Sequence, residues 1–312
     1  MKARALENAP EFEKNSPAKV VYMGNVTQVT TFQKRPTAPP IRKLNKESYL
    51  DLRSGEVCDY EHIENRAGCK DSIRKTLAWI RALINTNVIE PKNCRWVTLT
   101  YAENMTDTKR LYEDYKRFWQ RFCYWCKANG HGKPEYISVI EPQGRGAWHV
   151  HAFFIWDTSA PFIPNEEVLE KLWQQGFTNC KQPTDCDNIG AYFSAYLADL
   201  PLDEVEKLPP DEMKKALDGH EVKTVDFTNA QEQTKSKKFV KGGRLYLYPP
   251  GMNIVRRSKG IKDPVEEWTT SKKAKEKISS AKLTFSSVFE VLNDDGQPVN
   301  KLLKEYYNSK RK

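Results

Sequence analysis

No apolar run in the 312-residue chain approaches the roughly 18 residues that a membrane-crossing helix needs, so no membrane is expected among its partners. The opening stretch MKARALENAPEFEKNSPAKV puts charges where a secretory leader would carry its apolar segment, and the expected location is the cytoplasm. Seven cysteines, an odd number at 58, 69, 94, 123, 126, 180 and 186, do not form a disulfide framework and are expected as reduced thiols. Cys123 and Cys126 make a C-x-x-C, but it falls inside a helical pattern with no well-spaced second pair, which argues against a zinc site. The sequence G-x-x-x-x-G-K-[ST] is absent, so a built-in P-loop motor is excluded. Gly144 and Gly146 open no helix after a strand, which removes the dinucleotide-binding reading, and no internal repeat is visible.

What the chain does carry is positive charge. Fifty Lys and Arg against 41 Asp and Glu leave a net charge of +9, which favours a polyanion, nucleic acid first. Residues 1–45 mix Pro36, Pro39 and Pro40 with Lys and Arg and read as a flexible basic arm. Residues 46–92 read as a helical N-terminal region, with Ile73, Leu77, Ile80 and Leu83 at helical spacing between about Lys70 and Val88. The main domain is expected over 93–262. It starts with a strand at Arg95 to Tyr101 and a helix from Asp107 or Thr108 to about Lys127. Two strands follow, Tyr136 to Glu141 and Trp148 to Trp156, then a helix near Asn165 to Gln175, a short strand near Phe177 to Lys181 and a helix from about Asn188 to Leu200. The order β-α-β-β-α-β-α predicts an α+β fold, a mostly antiparallel sheet with helices packed on it.

An acidic, helix-prone insertion is expected at 201–234, after which the charge reverses. From Lys235 to Lys262 there is no Asp or Glu. Lys237, Lys238, Lys241, Arg244, Arg256, Arg257 and Lys259 are interleaved there with Phe239, Tyr246 and Tyr248. Such a stretch suits a surface that tracks phosphates and stacks bases, or else a solvated basic loop. The basic C-terminal region, 263–312, carries a hairpin around Asp294-Asp295-Gly296.

The most informative residues are His149-Val150-His151. On a strand both imidazoles project from one face, where they can hold one metal ion or be satisfied sheet histidines. If Pro142 to Trp148 closes a hairpin, Glu141 falls opposite His149 and shares that face. Two imidazoles and a carboxylate leave coordination positions open, which suits a catalytic Mg²⁺ or Mn²⁺. Tyr192 and Tyr196 stand four apart on a predicted helix, side by side, as paired nucleophiles or as a core stripe.

In order and spacing, Trp96-Val97-Thr98-Leu99-Thr100-Tyr101, then Glu141 with His149 and His151, then Tyr192 and Tyr196 resemble the three motifs of the HUH-endonuclease rolling-circle replication initiators. The Rep proteins of bacterial phages, plasmids and integrated elements are the nearest branch. The resemblance covers roughly residues 93 to 200, and Tyr248-Pro249-Pro250-Gly251 and Arg256-Arg257-Ser258-Lys259-Gly260 also look like that branch. It implies an RRM-like or ferredoxin-like nicking domain at 93–262. It also implies a nuclease of a bacterial host cytoplasm that cuts single-stranded DNA at a replication origin, with or without a hairpin. His149, His151 and Glu141 would be the metal ligands and Tyr192 and Tyr196 the nucleophile pair forming a 5′-phosphotyrosine. Thr98 and Thr100 would support the site or contact DNA. Arg145, Arg256 or Arg257 would offset phosphate charge, and a host helicase and DNA polymerase would be partners. A relaxase or transposase of the same superfamily would use the same site on other DNA, and an idle DNA-binding module would keep the fold alone. The family often has Lys three residues after a catalytic Tyr; here Ala195 and Asp199 stand at those places.

Overall fold

The computed structural model describes residues 2–6, 12–37, 40–60, 70–183, 188–218, 221–228, 234–278, 280–293 and 295–311. The chain divides into two compact units, a middle one of Glu64–Asp263 and one built from both ends, Met1–Ile63 with Pro264–Lys312. Both are α+β with antiparallel sheets. No helix among the described residues is long and apolar enough to cross a membrane.

The chain opens with β1 (Lys2–Leu6), β2 (Pro17–Met23) and β3 (Val26–Phe32). Pro17 starts its strand, where a missing N–H is tolerated, and Gly24 turns the β2–β3 hairpin at φ 59°. A small three-stranded sheet follows, β4 (Ile41–Lys43), β5 (Ser48–Asp51) and β6 (Val57–Asp59).

The middle unit begins with α1 (Lys70–Asn87) and β7 (Cys94–Thr100). Asp107 then caps α2 (Thr108–Ala128), its side chain accepting from the backbone N–H groups of Lys109 and Arg110. Strands β8 (Glu135–Pro142) and β9 (Trp148–Ile155) form a hairpin; a π turn at Asn165–Leu169 leads into α3 (Glu170–Trp173) and β10 (Thr178–Lys181). Helix α4 (Ile189–Ala198) follows. Then come β11 (Leu200–Pro201), α5 (Leu202–Val205), α6 (Pro210–Leu217), β12 (Val222–Thr228), β13 (Thr234–Val240) and β14 (Val255–Arg257).

The principal sheet runs β10-β7-β9-β8-β14. Setting aside the edge strand β14, this is the split βαβ order of a ferredoxin-like fold, with α2 and α3 as the crossover helices. Val97, Leu99, Val150, Ala152 and Phe154 alternate onto one face, where α2 lays Phe118 and Phe122, both fully buried. The Phe122 and Phe154 rings lie 4.6 Å apart, and Trp173 of α3 meets Phe118 edge-on at 5.9 Å. Each such ring contributes about 1.5–3 kcal/mol through burial. Helices α1 and α4 cover the opposite face. A Cβ on Gly190 of α4 would stand 2.4 Å from the carbonyl oxygen of Arg81 in α1, so only glycine permits that approach.

The chain then returns to the terminal unit with β15 (Val265–Thr270), α7 (Ser271–Lys277), β16 (Lys282–Leu292) and β17 (Pro298–Asn308). A six-stranded sheet results, ordered β1-β16-β17-β3-β2-β15, with Ala274 and Ile278 packed on Ala18, Val20 and Val29.

Two expectations are corrected. Residues 1–45 are not a structureless arm, because β2 and β3 carry alternating apolar residues whose partner strands stand at the far end of the chain. The insertion at 201–234 is only half helical. After α6, the segment VKTVDFT pairs with TKSKKFV, and charges at alternate positions mask that strand pattern. In the 46–92 region, α1 is joined by strands β5 and β6, and α1 belongs to the middle unit. Strands β16 and β17 flank the expected hairpin turn, in which Asp294 lies outside the described residues.

Candidate active site

Register brings the candidate ligands together. Glu141 of β8 is paired with His149 of β9, and His151 is flanked by Val139 on β8 and Thr98 on β7. Glu141, His149 and His151 therefore share the face opposite α2, and their ligand atoms all lie within 4.8 Å of one another. Glu141 and His151 are 1% and 3% exposed. Nε2 of His151 stands 2.5 Å from Oε2 of Glu141, and its Nδ1 stands 3.1 Å from the Thr98 hydroxyl, which fixes the ring. The Nε2 atom of His149 is buried with no hydrogen-bond partner among the described residues. Burial pushes the His149 imidazole down to about 4, so at neutral pH it keeps a free lone pair. An orphaned ring nitrogen, a second imidazole and a carboxylate fit a divalent cation: this buried group could hold a metal ion.

Above the group lies α4. The Phe193 ring is 5.6 Å from the His151 ring, 5.5 Å from Trp96 and 5.3 Å from Phe153, so the helix rides on the face that carries the ligands. Its start is anchored by the buried Asn85 of α1, whose Oδ1 accepts from the Gly190 N–H at 2.8 Å and whose Nδ2 donates to Asn188 at 2.9 Å. Tyr192 and Tyr196 occupy α4 positions one turn apart; their side chains lie outside the described residues.

The basic residues separate. Arg244, read from the sequence as one of a run of exposed cations, is only 3% exposed. Its Nη1 is 3.0 Å from Oε1 of Glu141 and donates to the Pro142 carbonyl at 2.6 Å. Arg256 pairs with Ser138 on the edge strand β14, which puts it on the α2 side of the sheet, its guanidinium 3.7 Å above the Tyr112 ring. It therefore faces away from the ligand group. Arg257 is held by Asp263 at 2.6 Å. Lys237 pairs with Asp203 at 3.4 Å, whereas Lys238, Lys241 and Lys259 are exposed. Thr100 is half-buried opposite His149.

Beside the ligands opens a cleft of about 300 Å³, lined by Glu141, His149, Arg145, Lys207, Glu204 and Arg244 among others. Arg145 is visible in the sequence as a cation in the β8–β9 turn. Glu204 and Lys207 carry no such signal, because they reach the cleft from α5 and the turn after it, some sixty residues further along.

Residues 94–200 match the family model for replication-associated proteins of the ORF2 type, and that match supports a replication-associated protein. The matched segment contains Glu141, His149, His151, Tyr192 and Tyr196 and ends before Arg244. No curated protein and no solved structure matches the chain.

Proposed function

We propose that this protein is a replication initiator of the HUH type, a metal-dependent endonuclease and strand transferase that nicks single-stranded DNA at an origin to start rolling-circle replication. The observation that carries the reading is the Glu141, His149 and His151 group, with its orphaned imidazole nitrogen, on the sheet face covered by the helix that bears Tyr192 and Tyr196.

Glu141, His149 and His151 would hold Mg²⁺ or Mn²⁺, which when bound supplies Lewis-acid polarisation of the scissile phosphate. The remaining work falls to the chain. A phenol of pKa about 10 is a weak nucleophile at neutral pH, so position must do much of the work. Helix α4 presents the tyrosines, and the Gly190 and Asn85 contacts with α1 fix where it lies. The exposed cations Arg145 and Lys207 at the cleft offset the charge of the bound phosphodiester. As the tyrosine oxygen bonds to phosphorus, the bond to the 3′-oxygen breaks. The phenolic proton is released and the departing oxygen takes one up. One phosphodiester replaces another, so the 5′-phosphotyrosine can be resealed by a 3′-hydroxyl without ATP. A second tyrosine one turn away lets the same site cut the newly copied origin while the first holds its end. The free 3′-hydroxyl would prime a host polymerase, and a host helicase would open the duplex.

The test is incubation with single-stranded origin oligonucleotides and Mn²⁺, followed by a denaturing gel. A covalent protein–DNA band is expected; its absence with every strand of the element would defeat the reading. Nicking at full rate in excess chelator would remove the metal from it.

A further inference from the structure

We propose that Arg244 is a positioning residue of the metal centre: through its guanidinium it fixes which oxygen Glu141 turns toward the two imidazoles, and it locks that carboxylate to the end of the tyrosine helix. The inference rests on the metal-site reading above and concerns a residue outside the matched segment.

A buried arginine needs partners on several sides, and Arg244 finds them on two different elements. Toward β8, Nη1 meets Oε1 of Glu141 at 3.0 Å and the Pro142 carbonyl at 2.6 Å. Toward α4, Nε donates to the Asp199 carbonyl at 2.8 Å, and the Arg244 backbone N–H donates to the Ala198 carbonyl at 3.0 Å. The last carbonyls of a helix have no partner within it, and a cation there also opposes the negative end of the helix dipole. One side chain thus closes the end of α4 and grips a candidate ligand.

Division of labour within the Glu141 carboxylate is what gives this contact its consequence. Oε2 faces His151 while Oε1 is taken by Arg244, so a single oxygen is presented to the place where the imidazoles converge. Glu141 is fully enclosed, and without the guanidinium nothing on the Oε1 side would stop its carboxylate from turning. Partners of this kind behind a ligand typically govern metal affinity by about 10–100-fold. A second link in the same turn serves as a comparator. The Tyr248 hydroxyl contacts the carbonyls of Ile140 at 3.1 Å and Leu197 at 3.3 Å, tying β8 to α4 without touching a ligand.

The experiment has two arms and uses the full chain without DNA. In the first, Mn²⁺ affinity is measured for the wild type, Arg244→Lys and Tyr248→Phe. Lysine keeps the charge but cannot reach the Glu141, Pro142 and Asp199 oxygens together. R244K should bind Mn²⁺ about 10-fold more weakly, while Y248F melts earlier with an unchanged Kd. An R244K Kd within two-fold of wild type, or an equal loss in Y248F, overturns the proposal. The second arm needs no variant and so survives an R244K that does not fold. Mg²⁺ is titrated into the wild type and followed by NMR, where the Arg244 guanidinium resonances should move with the same midpoint as the His149 and His151 imidazoles. Imidazoles that move while Arg244 stays still overturn the positioning role alone. Imidazoles that do not move overturn the metal site itself.

Discussion

The two faces of the principal sheet are made from the same strands and do opposite work. On the α2 side Val97, Leu99, Val150 and Ala152 form an apolar floor, and the rings of Phe118, Phe122 and Phe154 fill the space above it. Across the sheet, one residue along each strand, stand Thr98, Glu141, His149 and His151. A period of two lets a strand be core on one side and site on the other, so the ligands inherit the rigidity of the packing behind them. Polar groups on the site face are buried almost as deeply, and they persist there because Thr98 and Arg244 satisfy them, His149 Nε2 excepted. The lesson is that substitutions on the two faces should fail differently.

The largest contrast lies above the site face. Tyr192→Phe combined with Tyr196→Phe should abolish covalent attachment to DNA while leaving the melting temperature in place; any remaining adduct on a denaturing gel would take the nucleophile away from this helix. Next comes the opposite face. Phe122→Ala should cost about 3–5 kcal/mol in denaturant unfolding, with adduct yield per folded molecule unchanged. A selective loss of nicking there would erase the distinction between the faces. His149→Ala should reverse that signature. In the wild type, Mn²⁺ at about 100 times its Kd should add about 2.7 kcal/mol of stability, and H149A should lose most of that increment while keeping its metal-free stability. Gly190→Ala is subtler, since the new methyl presses on the Arg81 carbonyl and shifts α4 against α1. It should slow adduct formation several-fold with Mn²⁺ binding preserved, a split that equilibrium titration beside single-turnover kinetics would show. Smallest is the joint change of Lys237, Lys238 and Lys241 to Ala. The slope of log affinity against log salt should flatten by about one for each phosphate no longer neutralised; an unaltered slope places those lysines off the DNA path.

The hairpin carrying Glu141, His149 and His151 is legible in the sequence because everything that sets its register lies within about fifteen residues. Turn length and strand period together decide which side chains face one another. Arg244 is not legible in this sense. It stands among lysines and arginines that look alike in sequence, and the carboxylate that makes it different lies about a hundred residues away. The same reason hides β2 and β3, whose alternation is modest and whose neighbours β15 and β17 come near the other end of the chain. Arg256 shows the converse error. Its charge is plain in the sequence, but pairing with Ser138 turns it to the far face, and no local pattern announces that edge strand.

Weaving one sheet from both ends of the polypeptide has a consequence for biosynthesis. Strands β1 to β3 leave the ribosome first, yet β3 cannot acquire its neighbour until Leu302 to Asn308 have been made. The middle unit draws its own sheet from Cys94 through Arg257 and needs nothing translated later, so it is free to close while the leading hairpin waits. Ribosome-bound chains halted near residue 265 should already contain the folded nicking half, with the opening strands still seeking their mates.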